Sequence, residues 1–186
     1  MSKAWQHFKT ITYHKYLVAK GCFKIGLYKQ GLLHDMSKYS PTEFVVGMKY
    51  YQGTRSPNNA EREAIGYSSA WLHHKGRNKH HYEYWQDYSV IGRGALVPVP
   101  MPDKYLAEMV MDRIAASKVY KGKDYTDASS YEYYLLGTDQ VPIHPDTAAK
   151  LEYVLKMLAE KGEEEAFRYV KEVFVKHKKQ FEDLQQ

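Results

Sequence analysis

"LLHDMSKYSPTEF", residues 32–44, sets His34 beside Asp35 between an apolar run and a strong helix start. Ser40 reads as the N-cap, Pro41 as the first helical residue, and Glu43 as the carboxylate that closes a capping box. That start already accounts for the chain from residue 40 onward. His34–Asp35 is therefore not needed as a turn, and two potential metal ligands stand together between two helices.

On both sides of this stretch the pattern is helical almost throughout. Residues 3–29 carry Ile11, His14, Val18, Cys22 and Ile25 at steps of three and four, which is one helix face, and Gly31 ends it. A helix follows from Ser40 to about Tyr51, then a loop over 53–59, then a helix over 60–74. Asn78 is positioned to cap a further helix from about Lys79. Three prolines and two glycines in 92–103 make a non-helical connection, followed by a helix over 103–121 that Gly122 stops. A loop over 122–130 leads to "YEYYLLG", a short helix or turn. Residues 144–162 form a helix with Asp146 as N-cap and Gly162 as its stop, and 163–184 form a last one with Phe167, Val170, Phe174 and Phe181. No β-alternation or repeat is present. The expectation is an all-α bundle, with a core over 1–122 and C-terminal helices over 123–186 that pack on it or on a second subunit as a homodimer contact.

Composition narrows the class. The chain has 186 residues, 44% apolar and 26% charged, enough for a real core. Its 18 Tyr against 6 Phe supply hydrophobes with polar tips. A net charge of +5 favours small anionic substrates and is too diffuse to argue nucleic-acid binding. The single Cys22 excludes an intrachain disulfide and a Cys-based zinc site, and fits a reducing compartment. No stretch reaches 18 apolar residues and the N-terminus has no signal-like core, so a cytoplasmic protein that does not enter the membrane is expected.

Nine histidines are many, and their placement matters more. His14 lies on the apolar face of the first helix. His73, His74, His80 and His81 surround the "KGRN" turn. Asp112 shares a mostly apolar face with Tyr105, Met109, Ala116 and Val119, where an unpaired carboxylate is costly and calls for a partner or cation. Together these make a mixed imidazole–carboxylate set suited to Fe, Mn, Co, Ni or Zn. His144 and His177 read as surface residues, as does His7, which lies two helical turns before His14 and has a place behind the metal ligands as its alternative.

The order H…HD…D along an all-α chain resembles the HD-domain superfamily of metal-dependent phosphohydrolases. The resemblance implies His14, His34, Asp35 and Asp112 as ligands of one metal. The "HDMSK" form adds Lys38, three residues after the Asp, as in many members of that superfamily. The middle cluster is similar to its binuclear branches, which implies His74 with His80 or His81 on a second metal. Here those histidines are six or seven apart rather than some twenty, and no "GYP" follows, so neither binuclear branch is assigned. "WLHHKGRNKHHYEYW" with "HDMSK" looks like a bacterial and phage group of HD-like proteins with no settled activity. The resemblance covers about residues 7–120.

It implies a phosphohydrolase acting on a phosphomonoester or phosphodiester, with a nucleotide among the candidates, through one or two divalent transition-metal ions and activated water. Asp35 and Lys38 would be the catalytic pair, with Lys38, Arg77 and Asn78 on the phosphate. Tyr82, Tyr84 and Trp85 are either a stacking wall or core aromatics. A di-iron oxygenase with the same ligand order is the alternative, as is a non-catalytic helical interaction protein with a structural metal site.

Overall fold

The structure, a computed structural model, describes residues 2–92, 94–137 and 142–178. Among them are eight α-helices: α1 (Lys3–Ile25), α2 (Tyr28–Leu33), α3 (Pro41–Lys49), α4 (Pro57–Ile65), α5 (Ser69–Lys75), α6 (Asp103–Lys121), α7 (Ser129–Leu135) and α8 (Pro145–Tyr169). The chain is all-α, apart from one short antiparallel hairpin of β1 (Gln86–Tyr88) and β2 (Leu96–Pro98). No helix among the described residues is long and apolar enough to cross a membrane.

Several boundaries differ from expectation, each for a local reason. The single helix expected over 3–29 is two, because Gly26 sits at φ 91°, the left-handed region where a Cβ is strained, and its N–H closes α1 on Cys22 and Phe23. Gly66 likewise splits the helix expected over 60–74 into α4 and α5. Asn78 does not start a helix. Its amide instead donates to the Ser37 hydroxyl and the His74 carbonyl, and only a short 3₁₀ turn at Tyr82–Tyr84 follows. The strands have three residues each, too few for alternation to be legible. His144, not Asp146, is the N-cap of α8, its Nδ1 accepting the Asp146 N–H. Gly162 does interrupt that helix, at φ 81° and ψ 174°, and a π-helical turn over Val170–Val175 follows Tyr169. Phe181 and the rest of 179–184 lie outside the described residues.

Helix α6 is the axis. Leu106 through Met111 are all buried, so its circumference is covered on nearly every side, as expected of a central helix. Val18, Cys22 and Ile25 of α1 meet Leu106, Val110 and Ile114 of α6, and Leu151, Val154, Leu155 and Leu158 of α8, in one hydrophobic cluster. The C-terminal helices therefore pack on α1 and α6 within a shared core. Toward the N-terminal half of α1 the buried residues change character. His7 and His14 join Ile11 there as buried polar side chains, and α6 offers Glu108 to the same region.

Candidate metal centre

His14 comes from the middle of α1 and Asp112 from the middle of α6. His34 is the C-cap of α2, and Asp35 follows it at φ 53° and ψ 26° before a 3₁₀ turn at Met36–Tyr39. A non-glycine residue in that left-handed region costs about 1–3 kcal/mol, and Asp is among the residues that tolerate it. Lys15 holds the connection. Its ammonium donates to the Leu32 carbonyl at 2.6 Å and the His34 carbonyl at 2.8 Å. His74 ends α5, and His80 and His81 come from the segment just after it.

These side chains converge as two groups that share one residue. His14, His34, Asp35 and Asp112 form the first; Asp35, His74, His80 and His81 form the second. In the first, His14 Nε2 lies 2.9 Å from Asp112 Oδ1 and 3.6 Å from Asp35 Oδ2, and His34 Nε2 lies 3.4 and 3.2 Å from the same two oxygens. In the second, Asp35 Oδ1 is 3.2 Å from His74 Nε2 and 3.4 Å from His80 Nε2, and His81 Nε2 is 2.9 Å from His74 Nε2. Asp35 thus presents one carboxylate oxygen to each group.

The donor set fits a cation in each group. Ligands about 2.0–2.1 Å from one ion stand roughly 2.8–3.0 Å apart as octahedral neighbours and roughly 3.3–3.4 Å apart in a tetrahedron. The pair separations given above span 2.9–3.6 Å, and all the donor atoms of a group lie within 4.8 Å of one another. His14 Nε2, His34 Nε2, His80 Nε2 and Asp35 Oδ1 are buried and make no hydrogen bond, although an opposing polar atom is near each. Unpaired buried polar atoms are costly, and cations placed between these four would satisfy them together.

Two carboxylates behind the histidines complete the arrangement, and sequence reasoning missed both. Glu108 Oε1 accepts from His34 Nδ1 at 2.9 Å and lies 3.2 Å from His80 Nδ1. Glu43 accepts from His74 Nδ1 at 2.8 Å and His73 Nδ1 at 2.6 Å. Glu43 therefore does not close the expected capping box, and the Ser40 hydroxyl caps no N–H. The signal for Glu108 was legible: it precedes Asp112 by one helical turn and so shares its face. Glu43 was masked by the local cap motif. His7, read as a surface residue, is buried against Phe44 and Tyr51.

Charge is balanced by mutual perturbation. Burial alone would lower the His34 pKa, but Asp35, Asp112 and Glu108 override it and hold the imidazole well above its usual range. His74 and His80 are raised too, against burial, chiefly by carboxylate neighbours that include Asp35. Burial would raise Asp35 and Asp112. His34, Lys38 and His74 pull the first well below the carboxylate range, and His14 and His34 do so for the second. His81 goes the other way, pushed well down by burial and by His80 and His74.

Lys38 is one turn past Asp35, its ammonium 2.5 Å from Asp35 Oδ2. Its side chain is 28% exposed and that of Asp112 15%, against 2% for Asp35 and His74, so solvent reaches the first group from the Lys38–Asp112 side. Arg77 and Asn78 are not gathered with Lys38. Arg77 lies on an exposed turn with Nη1 3.4 Å from the His73 carbonyl, and the Asn78 amide is committed to Ser37 and His74. Tyr82 and Trp85 pack against the core cluster, and Trp85 Nε1 donates to the Lys79 carbonyl. A surface cavity of about 360 Å³, lined by Lys3, Lys49, Tyr50 and Glu63 among others, contains none of the clustered residues.

A family profile described as "Family of unknown function (DUF5662)" matches residues 3–157, which include every residue of both groups. No curated protein and no solved structure matches the chain.

Proposed function

The chain belongs to DUF5662, whose function is unknown, and we propose from the centre itself that it is a metal-dependent phosphohydrolase acting on a small phosphorylated substrate. One observation carries the reading: two largely buried imidazole–carboxylate groups take one oxygen each of Asp35, with a partly exposed lysine beside the first. The resemblance to the HD-domain superfamily points the same way.

In this reading His14, His34, Asp35 and Asp112 hold one divalent transition-metal ion, and Asp35, His74, His80 and His81 a second. Fe, Mn, Co, Ni and Zn all suit such nitrogen–oxygen sets. A bound ion supplies Lewis acidity, which makes water a nucleophile near neutral pH and polarises a phosphoryl oxygen. Asp35 would serve both ions, one carboxylate oxygen to each. Lys38 keeps its ammonium on Asp35 Oδ2 and turns its remaining N–H donors to the exposed side, where a phosphoryl oxygen can accept them. The burial of His34, Asp35, His74 and His80 excludes bulk water behind the reacting face and strengthens these interactions.

The test is elemental analysis of protein purified without added metal, with phosphate release measured across a panel of phosphomonoesters and phosphodiesters. The reading expects stoichiometric metal that His34→Ala loses, along with metal-dependent release. Absence of metal in the wild type overturns it. Iron with O₂ uptake and no phosphate release would assign the centre to oxidative chemistry instead.

A further inference from the structure

We propose that Glu108 is a positioning residue common to both halves of the centre, one carboxylate oxygen fixing a histidine of each. The inference rests on the metal-binding part of the reading above and not on phosphoester hydrolysis.

A neutral imidazole that gives its Nε2 lone pair to a cation carries its proton on Nδ1. In a buried centre that N–H needs an acceptor. His34 has its Nε2 among the first group and its Nδ1 2.9 Å from Glu108 Oε1. His80 has its Nε2 among the second group and its Nδ1 3.2 Å from the same oxygen. A carboxylate oxygen has two lone pairs and can take both protons. The two rings lie with centroids 4.3 Å apart, so one anchor sets the tilt of each. Glu108 is itself held on the buried axis of the fold, its side chain 7% exposed.

His34, His80 and Glu108 also lie close enough to suggest a third ion position. The chemistry argues against it. The nitrogens that face Glu108 are the Nδ1 atoms, and they carry protons whenever the Nε2 atoms ligate. Glu108 therefore stands behind the ligands. Glu43 is the natural contrast. Its oxygens go to His74 and His73, and only His74 belongs to a group, the second. Asp35 joins the halves from the front and Glu108 from behind, whereas Glu43 serves one half.

Outer partners of this kind change metal affinity about 10–100-fold when removed. The experiment isolates each half. His81→Ala cripples the second group and leaves the first; His14→Ala does the reverse. Metal-stripped protein in each background is titrated with Zn²⁺ by calorimetry, and with Co²⁺ followed by its visible absorption. Glu108→Gln should weaken Zn²⁺ about 10–100-fold in both backgrounds and alter the saturated Co²⁺ spectrum in both, which a purely structural lesion would not do. Glu43→Gln should act only in the His14→Ala background. An effect of Glu108→Gln in one background alone, or in neither, overturns the proposal. If the Gln variant does not fold, Glu108→Asp, which keeps the carboxylate but withdraws it from both rings by one methylene, decides by the same comparison. Failure of the wild type to bind either ion would overturn the metal reading itself, a result distinct from intact binding that ignores Glu108.

Discussion

Lys38 and Asp35 are joined at 2.5 Å through Oδ2, while Asp35 Oδ1 takes no hydrogen bond and faces the second histidine group. The two oxygens of one carboxylate are thus unequal, and the lysine marks the side from which solvent arrives. Lys38→Met should leave metal content intact, because the ammonium is not among the converging donors. It should lower kcat/KM for a phosphoester about 100-fold, the scale of losing one preorganised donor at a charge-bearing oxygen. Steady-state kinetics beside elemental analysis checks this, and unchanged kcat/KM removes Lys38 from the mechanism.

Lys15 acts on the backbone rather than the chemistry. Its ammonium bridges the carbonyls of Leu32 and His34 at the end of α2, where helix carbonyls lack intrahelical partners. Lys15→Met strips both of a charged donor and should cost about 1–3 kcal/mol in denaturant unfolding. It should also weaken metal binding, because the left-handed turn at Asp35 loses its anchor. Full stability together with full affinity in the variant would show that the turn is held by other contacts.

Metal affinity should rise with pH. The carboxylates hold His34, His74 and His80 above the ordinary imidazole range, so protons and a cation compete for the same nitrogens. In metal-free protein these raised groups contribute stability below the unfolded value of about 6.5, and that contribution fades as pH climbs through their folded values. Stabilisation by an added ion should accordingly grow with pH. Calorimetry in buffers of different ionisation enthalpy should show proton release on binding that declines at higher pH. His81, pushed well down, adds no proton near neutrality. Binding with no proton release at pH 6.5 would contradict this account.

The helical class and the residues that form the two groups were legible because they depend on local signals: three- and four-residue periodicity, and side chains with few other reasons to be buried. Three features were not legible, and the causes are physical. Gly26 and Gly66 break helices through backbone conformation while the apolar pattern runs on across them. Glu43 lies in a motif that reads fully as a cap, so its tertiary use by His73 and His74 left no local trace. Arg77 and Asn78 had the right chemistry for phosphate, but the turn directs Asn78 to Ser37 and the end of α5. What the sequence could not encode locally was which side of a turn meets which helix.

His7 extends the polar end of α1 under α3, and its packing there can be tested against its charge. Burial, helped by the Lys38 ammonium, lowers its pKa to about 4 from 6.5. Between those values the unfolded chain binds the proton and the folded one does not, so this residue makes stability rise with pH across that window. His7→Leu should flatten the slope there relative to wild type. The same histidine explains Gly47, where an added Cβ would stand 2.3 Å from His7 Nε2. Gly47→Ala should cost about 1–3 kcal/mol by overpacking. In a His7→Ala background the obstructing ring is gone, and Gly47→Ala should cost much less, a coupling that a double-mutant cycle in urea measures directly. Additive losses would mean that α3 shifts to accept the methyl group, and that the contact between α1 and α3 does not depend on this glycine.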